Sequence, residues 1–234
     1  MNIISGIYWD RGQKNVNQDS VFLWQMMTRR GRVLVAGVSD GIGGLKEGEI
    51  ASGYILERIR EACYHNLTCF SRKTKGLRCL KNIMLRTLYD VSEELCKYAD
   101  AKGIELGATL CLLVIVGRNY LVLHIGDSAV LKFHKNKGEC LTPLHSDRKG
   151  GLLKAVGCFP FERPSIYKGR LKKHTGFLLA SDGFYRKMPR NRELFYPNAI
   201  TNERAVEKRL RDTGVFVKKN GEKDNISAIY VKVF

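Results

Sequence analysis

Five aspartates stand where apolar runs begin or end. The run at residues 33–38 stops on Ser39, Asp40 and Gly41, and the run at 176–180 stops on Ser181, Asp182 and Gly183. Asp127, in a Gly-Asp-Ser triplet, follows the run at 120–125. Asp19 immediately precedes a run that starts near Val21, and Asp224 opens the last one, at 226–234. Aspartate is depleted inside strands and common in turns, so each has an easy structural reading, and Asp-Gly alone is a favoured hairpin pair. Five on apolar strands in a basic chain imply more. If those strand ends share one edge, the carboxylates meet, repel one another and need cations between them. Carboxylate and carbonyl oxygens select hard ions, Mg²⁺ or Mn²⁺. Two such ions can acidify a water and polarise a phosphoryl group, chemistry that needs no serine or cysteine nucleophile. Gly43 and Gly44 give the backbone after Asp40 room to turn and to approach a ligand.

Other chemistries find less support. His65, His124, His134, His145 and His174 are scattered, with no HExxH or Cys/His spacing for zinc. His124 reads as a satisfied strand histidine. The seven cysteines form no CxxC pair and fall singly, some in apolar runs as Cys111 does, which suits reduced thiols in a cytoplasmic protein. A chain of 234 residues, 44% hydrophobic and 27% charged, can bury a full core and suits a soluble globular domain. Its longest apolar run, at 110–116, is too short for a bilayer, and its first residues lack a signal-peptide pattern. The net charge of +17 suits partners rich in phosphate or carboxylate. Lysine and arginine cluster at 72–81 and 168–173 without interleaved aromatics, which disfavours nucleic acid.

The elements that must position the aspartates follow from periodicity. Strands are expected at 2–9, 21–27 and 32–38, the last two joined by a tight basic turn at 28–31. A helix follows Gly44 to about Tyr64, with Ala51, Ile55, Ile59 and Ala62 on one face and Glu47 and Glu49 in its first turn, where they suit its dipole. A basic loop at 69–76 leads to a second helix over 77–101. Its stripe of Leu80, Met84, Leu88, Val91, Leu95 and Tyr98 is core packing. Strands return at 109–116, 120–125 and 129–133, with turns at 117–119 and 136–138. Residues 143–163, with Gly150, Gly151 and Gly157, read either as a flap over a site or as a long surface loop. Strands at 165–171 and 176–180, a helix at 201–212 and the final strand complete the chain. No repeat or linker divides it. Two helices set among runs of strands argue for an α+β class.

The motifs, in order, are NQD at 17–19, SDGIGG at 39–44, GE with AS within 48–52, GAT at 107–109, GDS at 126–128, SDG at 181–183 and DN at 224–225. Together they resemble the metal-dependent type 2C (PPM-type) serine/threonine protein phosphatases, bacterial branch, over nearly the whole chain. The resemblance implies a four-layer αββα sandwich, two packed antiparallel sheets flanked by helix pairs, as one domain over 1–234. It implies that Asp40 bridges two metal ions, that the Gly41 carbonyl binds one of them, and that Asp182 and Asp224 hold the other. Asp19 would hold metal-bound water, and Asp127 with Asp182 would bind a third, weaker ion. The nucleophile would be the metal-bridging water. The substrates would be phosphoserine or phosphothreonine on proteins, including a serine/threonine kinase and its targets, and the enzyme would be a monomer.

The chain departs from that pattern at four places. Lys14 stands where the family usually grips phosphate with arginine, keeping the charge and losing the bidentate fork, with Arg11 close enough in sequence to substitute. Gln18 replaces a glutamate, Ala129 an arginine after GDS, and Ile42 a histidine that some members carry as a proposed general acid. Lys14, Gln18 and Ala129 support one rival to a working phosphatase, a pseudophosphatase that binds phosphoproteins without turnover, and the basic surface gives less support to another, a nucleic-acid-binding protein.

Overall fold

The computed structural model describes residues 2–28, 31–42, 45–66, 76–147, 151–158 and 160–234. Gly43, Gly44, Gly150, the middle of the 28–31 turn and all but the last residue of the 69–76 loop lie outside them.

The strands are β1 Ile3–Asp10, β2 Asp19–Thr28, β3 Gly31–Asp40, β4 Leu110–Val116, β5 Asn119–Ile125, β6 Ala129–His134, β7 Lys137–Cys140, β8 Ser165–Arg170, β9 Thr175–Ala180 and β10 Ile226–Val233. The α-helices are α1 Gly48–His65, α2 Gly76–Lys102, the single turn α3 Asp182–Tyr185 and α4 Glu203–Lys219. The strands form two five-stranded sheets, ordered β1-β10-β9-β6-β7 and β2-β3-β4-β5-β8, with every pair antiparallel.

Three apolar layers hold this together. Leu34, Ala36 and Val38 of β3, Cys111 and Leu113 of β4, and Phe177 and Ile229 of the other sheet fill the space between the sheets. The alternate residues Val33, Val35, Leu110, Leu112 and Val114 meet α1 and α2 through Ile55, Ile59, Met84 and Leu88. On the other side Leu178, Ala228 and Tyr230 meet Phe184, Val206 and Leu210. The central strands are therefore covered on both faces. This is why they read as unbroken apolar runs although antiparallel strands more often alternate. The result is an αββα sandwich.

Three local differences from the sequence expectation have physical causes. Residue pair 135–136 makes the turn after β6, with Lys135 left-handed at φ 53°, and β7 returns from it. All four β7 residues are exposed, so that strand carries no apolar signature. Helix α4 runs on to Lys219 through Gly214, whose lack of a side chain makes room for the Tyr8 ring, 2.3 Å from where a Cβ would stand. Glu47 is the N-cap residue of α1, left-handed at φ 59°, and its carboxylate reaches Tyr98 and Lys102 of α2 instead of the helix's own amides. The described part of 143–163 is pinned by backbone bonds, Val156 N–H to Ala108 at 2.9 Å and His145 N–H to Gly126 at 2.9 Å.

Candidate active site

The antiparallel registers bring the aspartates to one end of the sandwich. Asp19, first in β2, lies opposite Asp40, last in β3. Asp127 follows β5, Asp182 follows β9 and begins α3, and Asp224 precedes β10, the neighbour of β9. The convergence is visible in the charge balance: burial pushes the Asp40 carboxyl well above the usual carboxylate range, and Asp19, Asp182, Asp127 and Asp224 each push it further.

Small and polar residues make this convergence possible. The Asp40 amide donates to Thr109 Oγ1 at 3.1 Å, and Ser39 Oγ donates to the Thr109 carbonyl at 2.7 Å. A Cβ on Gly41 would stand 2.5 Å from the Gly48 carbonyl oxygen, so the start of α1 can approach only a glycine there. Ser52 Oγ, one turn along α1, donates to the Gln18 carbonyl at 2.6 Å. Gly183 gives the same latitude at the second SDG, where a Cβ would stand 2.1 Å from the Asn225 carbonyl oxygen. Asn225 then knots the site. Its Oδ1 accepts from the Gln18 amide at 2.8 Å, and its Nδ2 donates to the carbonyls of Arg11 and Val16 at 2.8 and 3.1 Å. The loop carrying Arg11 and Lys14 is thereby fixed to the residue beside Asp224.

Charge compensation is uneven. Lys14 Nζ pairs with Asp224 at 3.0 Å, and both side chains are roughly two-fifths exposed, at 42% and 39%. Arg11 lies in the open and donates to the Asn15 carbonyl at 3.4 Å. Arg186 Nη2 sits between Asp127 at 2.8 Å and Asp182 at 2.9 Å. Burial and the Asp127 charge raise the Asp182 carboxyl to about 6, with Arg186 opposing them. Asp19 is buried, and neither of its carboxylate oxygens has a hydrogen-bond partner. Burial lifts it to about 7; the nearby Ser227 and Ser181 hydroxyls oppose the rise without closing a bond. Among the described residues no three acidic, thiol or imidazole side chains are drawn into a ready-made ligand cluster. Arg186 and Lys14 already hold three of the five carboxylates.

An all-oxygen donor set, with one buried carboxylate unpartnered and with Asp40 and Asp182 pushed upward by burial and by nearby carboxylates, fits hard divalent ions around Asp40, Asp182 and Asp224. The Asp127 end is different, because a guanidinium is already there. Sequence reading missed Arg186, whose only signal is its position four residues beyond an Asp that starts a helical turn. His124 is buried and donates Nε2–H to the Ser128 carbonyl at 2.8 Å, which keeps it out of the carboxylate cluster.

A sequence model of the family described as "Protein phosphatase 2C" matches residues 10–228. The chain belongs to the protein phosphatase 2C family. Its fold is shared with solved bacterial serine/threonine phosphatases. PppA of Pseudomonas aeruginosa, titled a key regulatory component of T6SS, superposes with a TM-score of 0.81 at 23% identity, over 100% of this chain and 99% of that one. A serine/threonine phosphatase of S. agalactiae gives 0.81 at 22%, over 100% of both chains. Stp1 of Staphylococcus aureus gives 0.80 at 17%, over 100% and 96%. No curated protein matches the chain significantly. Against the phosphatase 2C pattern, Gln18 here directs its amide to the Leu45 carbonyl and to Glu49, each at 3.4 Å, where a second carboxylate would repel Glu49. Ala129 is buried at the head of β6. Among the described residues no helix is long and apolar enough to cross a membrane.

Proposed function

We propose that this chain hydrolyses phosphoserine and phosphothreonine on proteins, using Mg²⁺ or Mn²⁺ held by Asp40, the Gly41 carbonyl, Asp182 and Asp224. The observation that carries the reading is the meeting of aspartates from segments as distant as residues 19 and 182: Asp19 lies in register opposite Asp40, and one arginine nitrogen bridges Asp127 and Asp182. When bound there, a divalent pair supplies an acidified water and neutralises phosphoryl charge. The protein's own groups do the rest. Asp19, buried with both oxygens free of partners, is placed to accept a proton or to orient a water. Lys14, paired with Asp224, would be free to meet the substrate phosphate if a divalent ion held that carboxylate, and Arg11, exposed on the same loop, would assist it. Asn225 holds that loop in register with the carboxylates.

The substrates are phosphorylated proteins, among them a serine/threonine kinase and its targets, and the protein acts in the cytoplasm as a single-domain monomer. All six cysteines among the described residues are free thiols, which suits that compartment. The Lys14–Asp224 pair favours one rival, a phosphoprotein-binding pseudophosphatase in which lysine never leaves the carboxylate.

Hydrolysis of an aryl phosphate and of a phosphoserine peptide, with and without Mn²⁺, separates the two. Metal-stimulated turnover that Asp40→Ala abolishes is expected. Phosphopeptide binding without metal-stimulated turnover identifies the pseudophosphatase, and salt-dependent DNA retention with no turnover identifies a nucleic-acid protein.

A further inference from the structure

We propose that the Arg186 guanidinium is a built-in cation for the Asp127–Asp182 end of the carboxylate cluster, so that this protein takes two divalent ions and leaves no room for a third. The inference rests on the divalent-ion reading above and deepens it.

The geometry is that of a bridging cation. One nitrogen, Nη2, lies between two acid oxygens, Asp127 Oδ2 at 2.8 Å and Asp182 Oδ2 at 2.9 Å. Both carboxylate side chains are largely buried, at 11% and 14% exposed, while the arginine side chain is 53% exposed. The guanidinium thus caps the cluster from the solvent side. Its placement is built into the backbone. Asp182 starts the single turn of α3, and the Arg186 amide donates to the Asp182 carbonyl at 2.8 Å, closing that turn. Spacing of i,i+4 on a helical turn returns the arginine over the aspartate. Arg186 pairs with Oδ2 of Asp182, so Oδ1 would remain available to a divalent ion.

Arg186 and Lys14 differ in a way that decides which of them yields to metal. Lys14 holds a half-exposed carboxylate through a flexible ammonium, in an ion pair open to water. Arg186 holds two carboxylates that have little other solvent, and a guanidinium stays charged at every pH at which the protein folds. A divalent ion entering between Asp127 and Asp182 would have to expel Arg186 or sit against its charge. Asp127 is then the anchor of Arg186 and not a metal ligand.

Counting bound ions tests this without reference to turnover. Equilibrium dialysis against Mn²⁺, with metal measured per folded chain, is expected to give about two ions for the unaltered protein and for Arg186→Lys. Arg186→Ala should gain a weaker third. The double variant Arg186→Ala with Asp127→Asn should return to two, because the added site needs Asp127. Three ions in the unaltered protein overturn the proposal and leave the divalent reading standing. So does a count of two in an Arg186→Ala protein whose circular dichroism is native. Should Arg186→Ala not fold, the unaltered protein and Arg186→Lys decide alone, since a third ion in either contradicts it. Fewer than two ions in the unaltered protein overturns the divalent reading, and this proposal with it.

Discussion

The two ends of the sandwich carry opposite charge and carry it differently. At one end β3, β9 and the neighbouring strands deliver five aspartates, Asp19 and Asp127 buried and the other three partly buried. At the other end the same sheets turn through a basic rim. Arg118, Lys172 and Lys173 line a cavity of about 590 Å³, and Lys132, Lys137 and Arg170 line a neighbouring one of about 350 Å³. Strand β9 spans the two, with Thr175 in the basic rim and Asp182 just past its far end. That is roughly 24 Å of extended chain at about 3.4 Å per residue. At the basic end Lys132 pairs with Glu139 across the rim at 2.9 Å. The exposed cations there are solvated and cost little. The aspartates at the other end are desolvated and can be kept together only by positive charge brought to them. The net charge of +17 therefore conceals an acidic centre, and overall charge says little about where the chemistry lies.

That contrast can be broken most severely at the acidic end. Asp182→Asn is expected to lower metal-dependent turnover of an aryl phosphate by roughly 10²- to 10³-fold or more, the scale of losing a preorganised charge stabiliser. Steady-state kinetics across a Mn²⁺ titration checks this.

The knot beneath the aspartates comes next. His124 is buried, and desolvation, helped by the neighbouring His145 and opposed by the bond to Ser128, lowers it from its ordinary 6.5 to about 4. The folded state therefore disfavours its protonation. The stability it contributes is complete above about pH 6.5 and is lost as pH falls toward about 4, on the order of 3 kcal/mol in all. Denaturant midpoints measured across that range should fall less steeply for His124→Gln. Asn225→Ala should cost a comparable or smaller amount, about 2–3 kcal/mol, because it strips partners from the Arg11 and Val16 carbonyls and the Gln18 amide. Urea unfolding measures that loss directly.

The smallest effect belongs to the basic end. Lys172→Glu with Lys173→Glu should move stability by no more than about 0.5 kcal/mol per site and leave aryl-phosphate turnover unchanged. Thermal melts and the same kinetic assay check this, and a large change in either would show that the two ends are not independent.

Much of the acidic end is legible in the sequence for a physical reason. A strand covered on both faces must be apolar throughout, so a charged residue ending such a run marks the point where the core opens. Asp40 and Asp182 are readable on that ground, and the long stripes of α1 and α2 on the ground of helical period. Strand β7 is not readable, because all four residues face solvent and its pairing depends on β6 alone. The last turns of α4 are hidden by Gly214, which serves a neighbour's ring and breaks nothing. Arg186 is hidden among the lysines and arginines that surround it in sequence, and only the turn of α3 separates it from them. Asn225 is visible as half of a DN pair, but its three bonds to a loop more than 200 residues away are not.

The most direct test is a crystal of the unaltered protein grown with Mn²⁺, with the ions located by anomalous scattering. The account predicts two peaks, both within ligand distance of Asp40, with Asp182 and Asp224 completing their shell and Arg186 still lying between Asp127 and Asp182. Ions bound away from Asp40, or no ordered ion at that end of the sheets, would contradict it.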